Sequence, residues 1–97
     1  MTNCFYAEES PVMAGKYLIR PNHDKLRLEY TNGSFGIIAA RCLGLTYANY
    51  LRLCRDRYGA TIVGKGHKYP VAYFNKASAE ELIKTLNQRA KEILKGA

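Results

Sequence analysis

Two helix-forming patterns stand almost end to end in the middle of the chain, divided only by Gly44 and Leu45. Ser34 suits the N-cap of the first, which carries Phe35, Ile37, Ile38, Ala39 and Leu43. Thr46 caps the second, which carries Tyr47, Tyr50, Leu51, Leu53, Cys54 and Tyr58 and stops at Gly59. A joint of one glycine and one apolar residue is too short to lay the helices antiparallel. They must cross at a steep angle, and the other elements have to pack around that corner.

The flanking segments read as strands and a last helix. Residues 1–15 have no clear periodicity and form a lead-in punctuated by Pro11 and Gly15. Residues 16–30 read as a strand pair: 16–20 is one strand, Pro21 to Asp24 a turn, and 25–30 a second strand in which Leu26, Leu28 and Tyr30 alternate with charged neighbours. After the two helices of 34–59, the β-rich runs 61–63 and 71–74 flank a basic, glycine-rich tip and predict a hairpin over 61–74. Ser78 with Glu81 forms a capping box, which opens a C-terminal helix over 78–95. In that helix Leu82, Ile83, Leu86, Ala90, Ile93 and Leu94 recur at three- and four-residue steps, and acids fall in its first turn. The order is β-β-α-α-β-β-α, an α+β fold in a single small domain of 97 residues.

Composition bears on partners more than on fold. Fifteen Lys and Arg against eight Asp and Glu leave a net charge of +7, which points to a polyanion and above all to nucleic acid. The excess is localised. Residues 1–40 are neutral and residues 77–97 carry +1, whereas residues 41–76 carry +6, with Asp56 as their single acid. Within 41–76 the cations are Arg41, Arg52, Arg55, Arg57, Lys65, Lys68 and Lys76.

Gly36 through Arg55 resembles the helix-turn-helix of DNA-binding proteins, and Thr61 through Phe74 resembles the wing of the winged subfamily. The resemblance rests on Ala40 four places before Gly44, and on apolar Ala39, Leu43, Leu45, Tyr50 and Leu53 at the positions the family keeps apolar. It implies that the second helix enters a major groove with Thr46, Tyr47, Ala48, Arg52 and Arg55 outward and Asn49 beside them. Leu51 departs from the pattern, falling where the family exposes its residue, which implies that the C-terminal helix covers part of this face. The family also places a helix before the two-helix unit; here strands stand there instead, so the C-terminal helix has to complete the core.

The expected nucleic-acid contacts on the two helices are Arg41, Thr46, Tyr47, Asn49, Arg52, Arg55 and Arg57. Lys65, His67 and Lys68 join them from the hairpin tip, where Gly64 and Gly66 let backbone N–H groups approach phosphates. Tyr30, Tyr50 and Tyr73 read as core. Tyr47, Tyr58 and Tyr69 lie among cations, where a ring either stacks on an unpaired base or packs under an arginine stem.

The leading expectation is a small double-stranded DNA-binding protein without chemistry, a transcriptional regulator or a phage or plasmid (viral-type) accessory factor. Two alternatives stay open: a single-stranded DNA or RNA binder, and a phage-type inhibitor that grips a host nucleic-acid-handling enzyme. An enzyme is not expected, because His23 and His67 have no adjacent acidic or nucleophilic partner and Asp56, Glu80 and Glu81 have structural uses. Cys4, Cys42 and Cys54 lack zinc-site spacings and read as reduced, buried thiols, though a Cys42, Cys54 and His67 site is geometrically conceivable. No metal or cofactor is therefore expected. No segment has the length of a membrane span or the layout of a signal peptide, so the expected location is cytoplasmic, without membrane contact. The apolar stripe of the last helix serves either a homodimer or the domain's own core, and the size of the domain favours the core.

Overall fold

The computed structural model describes residues 4–22, 35–64 and 70–96. The elements are β1 (Phe5–Glu9), β2 (Tyr17–Pro21), α1 (Phe35–Cys42), α2 (Tyr47–Tyr58), β3 (Thr61–Val63), β4 (Val71–Tyr73) and α3 (Lys76–Gly96). The order is the expected β-β-α-α-β-β-α, in a small α+β domain. The expected strand over 25–30, the cap Ser34 and the tip residues Lys65, Gly66, His67, Lys68 and Tyr69 lie outside the described residues.

The first strand is not where the sequence places it. Residues 5–9, expected to be part of a lead-in, form β1 and pair antiparallel with β2 in the register Phe5↔Pro21 to Glu9↔Tyr17. Pro11 and Gly15 are the punctuation of that hairpin. Ser10 holds its loop: the buried hydroxyl accepts from the N–H groups of Val12 (3.2 Å) and Met13 (3.1 Å), and its own N–H donates to the Lys16 carbonyl at 2.8 Å. Arg20 and Glu8 form a cross-strand ion pair at 3.0 Å on this sheet.

β3 and β4 pair antiparallel, Thr61↔Tyr73 through Val63↔Val71. Their sheet is joined to the first by one bridge. The Tyr17 N–H donates to the Phe74 carbonyl at 2.7 Å, and the Phe74 N–H returns to the Tyr17 carbonyl at 2.9 Å.

α3 lies across β1, β2, α1 and α2 and closes the core. Its stripe of Ala79, Leu82, Leu86 and Ala90 is fully buried against Phe5, Phe74 and Ile38, so through Ala90 the stripe is covered by the chain itself. The helix begins two residues earlier than the expected 78–95. The Ala79 N–H already donates to the Asn75 carbonyl at 2.9 Å, an i→i−4 bond, so Ser78 and Glu81 sit inside the helix and no acid falls in the first turn. Asn75 stands just before the first helical residue, and its Oδ1 accepts from Lys16 Nζ at 2.9 Å. Midway along α3, Asn87 reaches the edge of the first sheet: the Phe5 N–H donates to Asn87 Oδ1 (2.7 Å) and Asn87 Nδ2 donates to the Phe5 carbonyl (3.3 Å). No helix among the described residues is long and apolar enough to cross a membrane.

Candidate nucleic-acid interface

The corner between α1 and α2 is built by two hydrogen bonds and one left-handed residue. The Leu45 N–H donates to the Ala40 carbonyl at 2.9 Å and the Gly44 N–H to the Arg41 carbonyl at 3.0 Å, a Schellman ending. Gly44 sits at φ 70°, where a side chain is strained even though a Cβ there would meet no atom within 4 Å. Ala39 and Ala40 are fully buried and Leu45 packs against the core. α2 then starts without delay. Thr46 adopts an extended backbone, and its Oγ1 accepts from the Asn49 N–H at 3.2 Å.

The phase of α2 is set by its buried side chains. Tyr50 and Cys54 are fully buried, and Tyr47, Leu51 and Tyr58 pack on the core beside them. The opposite side leaves Ala48, Asn49, Arg52, Arg55, Asp56 and Arg57 exposed. Thr46 is also exposed at the helix start, and Arg41 is exposed in the last turn of α1. Leu45, Asn49, Arg52, Leu53, Asp56 and Arg57 line a shallow, open depression along this outward side.

Leu51 packs on the core in a helix that α3 contacts, in keeping with the cover by the C-terminal helix expected there. Two expected placements are corrected. Leu53, expected inside, is half-buried in the outward depression and is not among the side chains packed on the core. The phase established by Tyr47, Tyr50, Cys54 and Tyr58 puts residue 51 on their side and residue 53 away from it. Tyr47, expected outward, is half-buried: its ring stacks on Tyr50 (centroids 6.2 Å apart, 22° between planes) and its hydroxyl donates to the Pro70 carbonyl. That bond ties the start of α2 to the entry of β4. The chain on either side of 65–69 is thereby held near the helix N-terminus, with Gly64 left-handed at φ 95° just before that segment.

The charges on α2 are arranged unevenly. Arg55 Nε donates to Asp56 Oδ1 at 2.8 Å, and both side chains are more than half exposed. That hydrogen bond, with a smaller contribution from the Arg52 charge, holds the Asp56 carboxyl below the usual carboxylate range; the same bond raises Arg55. Behind the face the chemistry is inert. Burial pushes the Cys54 thiol up to about 12 and the Cys42 thiol up to about 11, and it raises Tyr50 well above the ordinary phenol value. All three free cysteines are buried and protonated at neutral pH, unsuited to attack or to metal ligation without deprotonation. Among the described residues no group of three His, Cys, Asp or Glu side chains converges.

No family model matches the chain, and no curated protein or solved structure matches it significantly.

Proposed function

We propose that the chain binds duplex DNA, with the outward side of α2 lying in the major groove. The observation that carries this reading is the exposed row of Asn49 and Arg52 along a helix capped at Thr46, flanked by Arg55 and Arg57. The start of α2 is the positive end of the helix dipole, which favours a phosphate. Asn49 and Arg52 are the residue types that pair bidentately with adenine and guanine edges. Being three residues apart, they stand about 4.5 Å apart along the axis, between one and two base-pair steps of about 3.4 Å. In this reading Arg41, Arg57, Lys65, His67 and Lys68 anchor phosphates, and the hairpin over 61–74 serves as the wing of a winged helix-turn-helix. The chain acts by binding, without chemistry.

Selection from a random duplex pool, followed by salt titration of the enriched site, tests the reading. Six neutralised phosphates imply a log–log slope of about −5. Arg52→Ala should weaken the enriched site by roughly tenfold or more, the scale of one lost base contact. A pool that enriches no sequence, or an Arg52→Ala protein that binds as the native one does, overturns it.

A protein-gripping role is the second reading, favoured by Leu53, an apolar side chain half-exposed on the same side of α2. Leu53→Asp separates the two: it should abolish a protein contact while Arg52→Ala leaves that contact intact. The single-strand reading loses one of its supports, because the Tyr47 ring is stacked on Tyr50 and its hydroxyl is engaged.

A further inference from the structure

Asp56 is the one carboxylate among residues 41–76, and it stands in the middle of the side of α2 that the duplex-binding reading turns toward a polyanion. It follows Arg52 by one turn and Asn49 by two. A negative charge there repels every phosphate near it, whatever the sequence, so a face built only for charge would omit it.

The carboxylate has no packing role. It is more than half exposed and lies outside the core, and its hydrogen bond goes to its sequence neighbour Arg55. Adjacent residues on a helix point about 100° apart, so such a pair forms only when one side chain bends toward the other. Residue 55 sits on the flank of α2, whereas Asn49, Arg52 and Asp56 follow one another along the centre of the outward side. The bond holds the Arg55 guanidinium against Asp56, beside that central line. It engages Nε, the donor nearest the stem. The terminal Nη1–Nη2 edge, which matches O6 and N7 of guanine, is on the far side of the guanidinium group.

We infer that Asp56 is a positioning residue that aims Arg55 at a guanine edge and makes α2 discriminate between sequences, by repelling duplexes that offer no such base. The inference rests on the duplex-binding reading above. On a duplex with guanine in reach, the oriented Arg55 contact offsets the repulsion of the carboxylate. On any other duplex the repulsion stays uncompensated. Asp56 thus lowers general affinity and widens the ratio between right and wrong sites. Its carboxyl, held ionised by Arg55, keeps this charge throughout the neutral range.

The test uses the full chain, the enriched duplex from the random pool and a scrambled duplex of equal length, with Kd measured for each at two salt concentrations. Asp56→Asn should tighten the scrambled duplex several-fold, weaken the enriched one, and reduce their ratio by roughly tenfold. Arg55→Ala should reduce the ratio by a similar factor, and adding Asp56→Asn to Arg55→Ala should reduce it no further. A purely electrostatic Asp56 predicts something else: both duplexes tighten by the same factor and the ratio holds, which overturns the inference while leaving the duplex reading intact. A further fall in the double variant also overturns it. Failure of the native chain to enrich any duplex removes both.

Discussion

The two sides of α2 occupy the same twelve residues and differ in almost every physical respect. The inward side is uncharged and closed: Tyr50 and Cys54 are fully buried, and Tyr47, Leu51 and Tyr58 seal its margins. The outward side has three arginines and an aspartate in water, around the half-buried Leu53. Exposed ion pairs such as Arg55–Asp56 do little for folding, whereas burial of aromatic and aliphatic surface does most of it. One side of the helix thus holds the fold, and the other is left over for a partner. Stability and binding should be separable by substitutions one or two residues apart.

Tyr50→Ala offers the largest break in that separation. Removing a fully buried aromatic ring should cost about 3 kcal/mol or more, a large part of the stability of a small domain, as urea unfolding would record. Alkaline pH attacks the same side by another route. Burial raises Cys54 and Cys42 above the ordinary thiol value of 9.0, to about 12 and about 11. The folded state therefore keeps protons that the unfolded chain releases. This contribution is fully present below pH 9 and is lost progressively as pH rises from 9 toward 11 and 12. Cys54→Ala should flatten that alkaline fall in melting midpoint even while lowering stability at neutral pH.

The corner and cap give intermediate effects. Gly44→Ala should cost about 1–2 kcal/mol through backbone strain alone, since no atom crowds its Cβ, and Gly44→Asn should cost less. Thr46→Ala removes the acceptor for the Asn49 N–H and should cost about 1 kcal/mol, with Thr46→Ser retaining most of it. Arg52→Ala should have the smallest effect on folding, within about 0.5 kcal/mol, while weakening duplex binding. A large loss of stability from Arg52→Ala would break the contrast between the sides of the helix.

Much of this architecture is local and therefore legible. Gly44, Thr46 and Gly59 mark the ends of helices by backbone chemistry that depends on few neighbours, and the two helices lie close to their expected spans. The alternating phase of Tyr47, Tyr50, Cys54 and Tyr58 also contains the answer for residues 51 and 53. A leucine is equally acceptable in type at either position, so matching to a family pattern put Leu53 inside, whereas the departure at Leu51 pointed to its cover by the last helix. β1 left no such mark. Phe-Tyr-Ala-Glu-Glu has no clean alternation, and it becomes a strand by pairing with β2 and by the Asn87 side chain meeting the Phe5 backbone.

By itself the sequence determined the order of α1, α2, β3, β4 and α3, the short joint at Gly44 and the concentration of positive charge in residues 41–76. These follow from propensity, capping and composition, which act over a few residues at a time. Tertiary structure alone decided that β1 pairs with β2, that α3 closes the core, that Tyr47 is tied to Pro70 and that Leu53 turns outward. Each of these is a contact between distant segments or a competition for burial, settled only when the elements pack together.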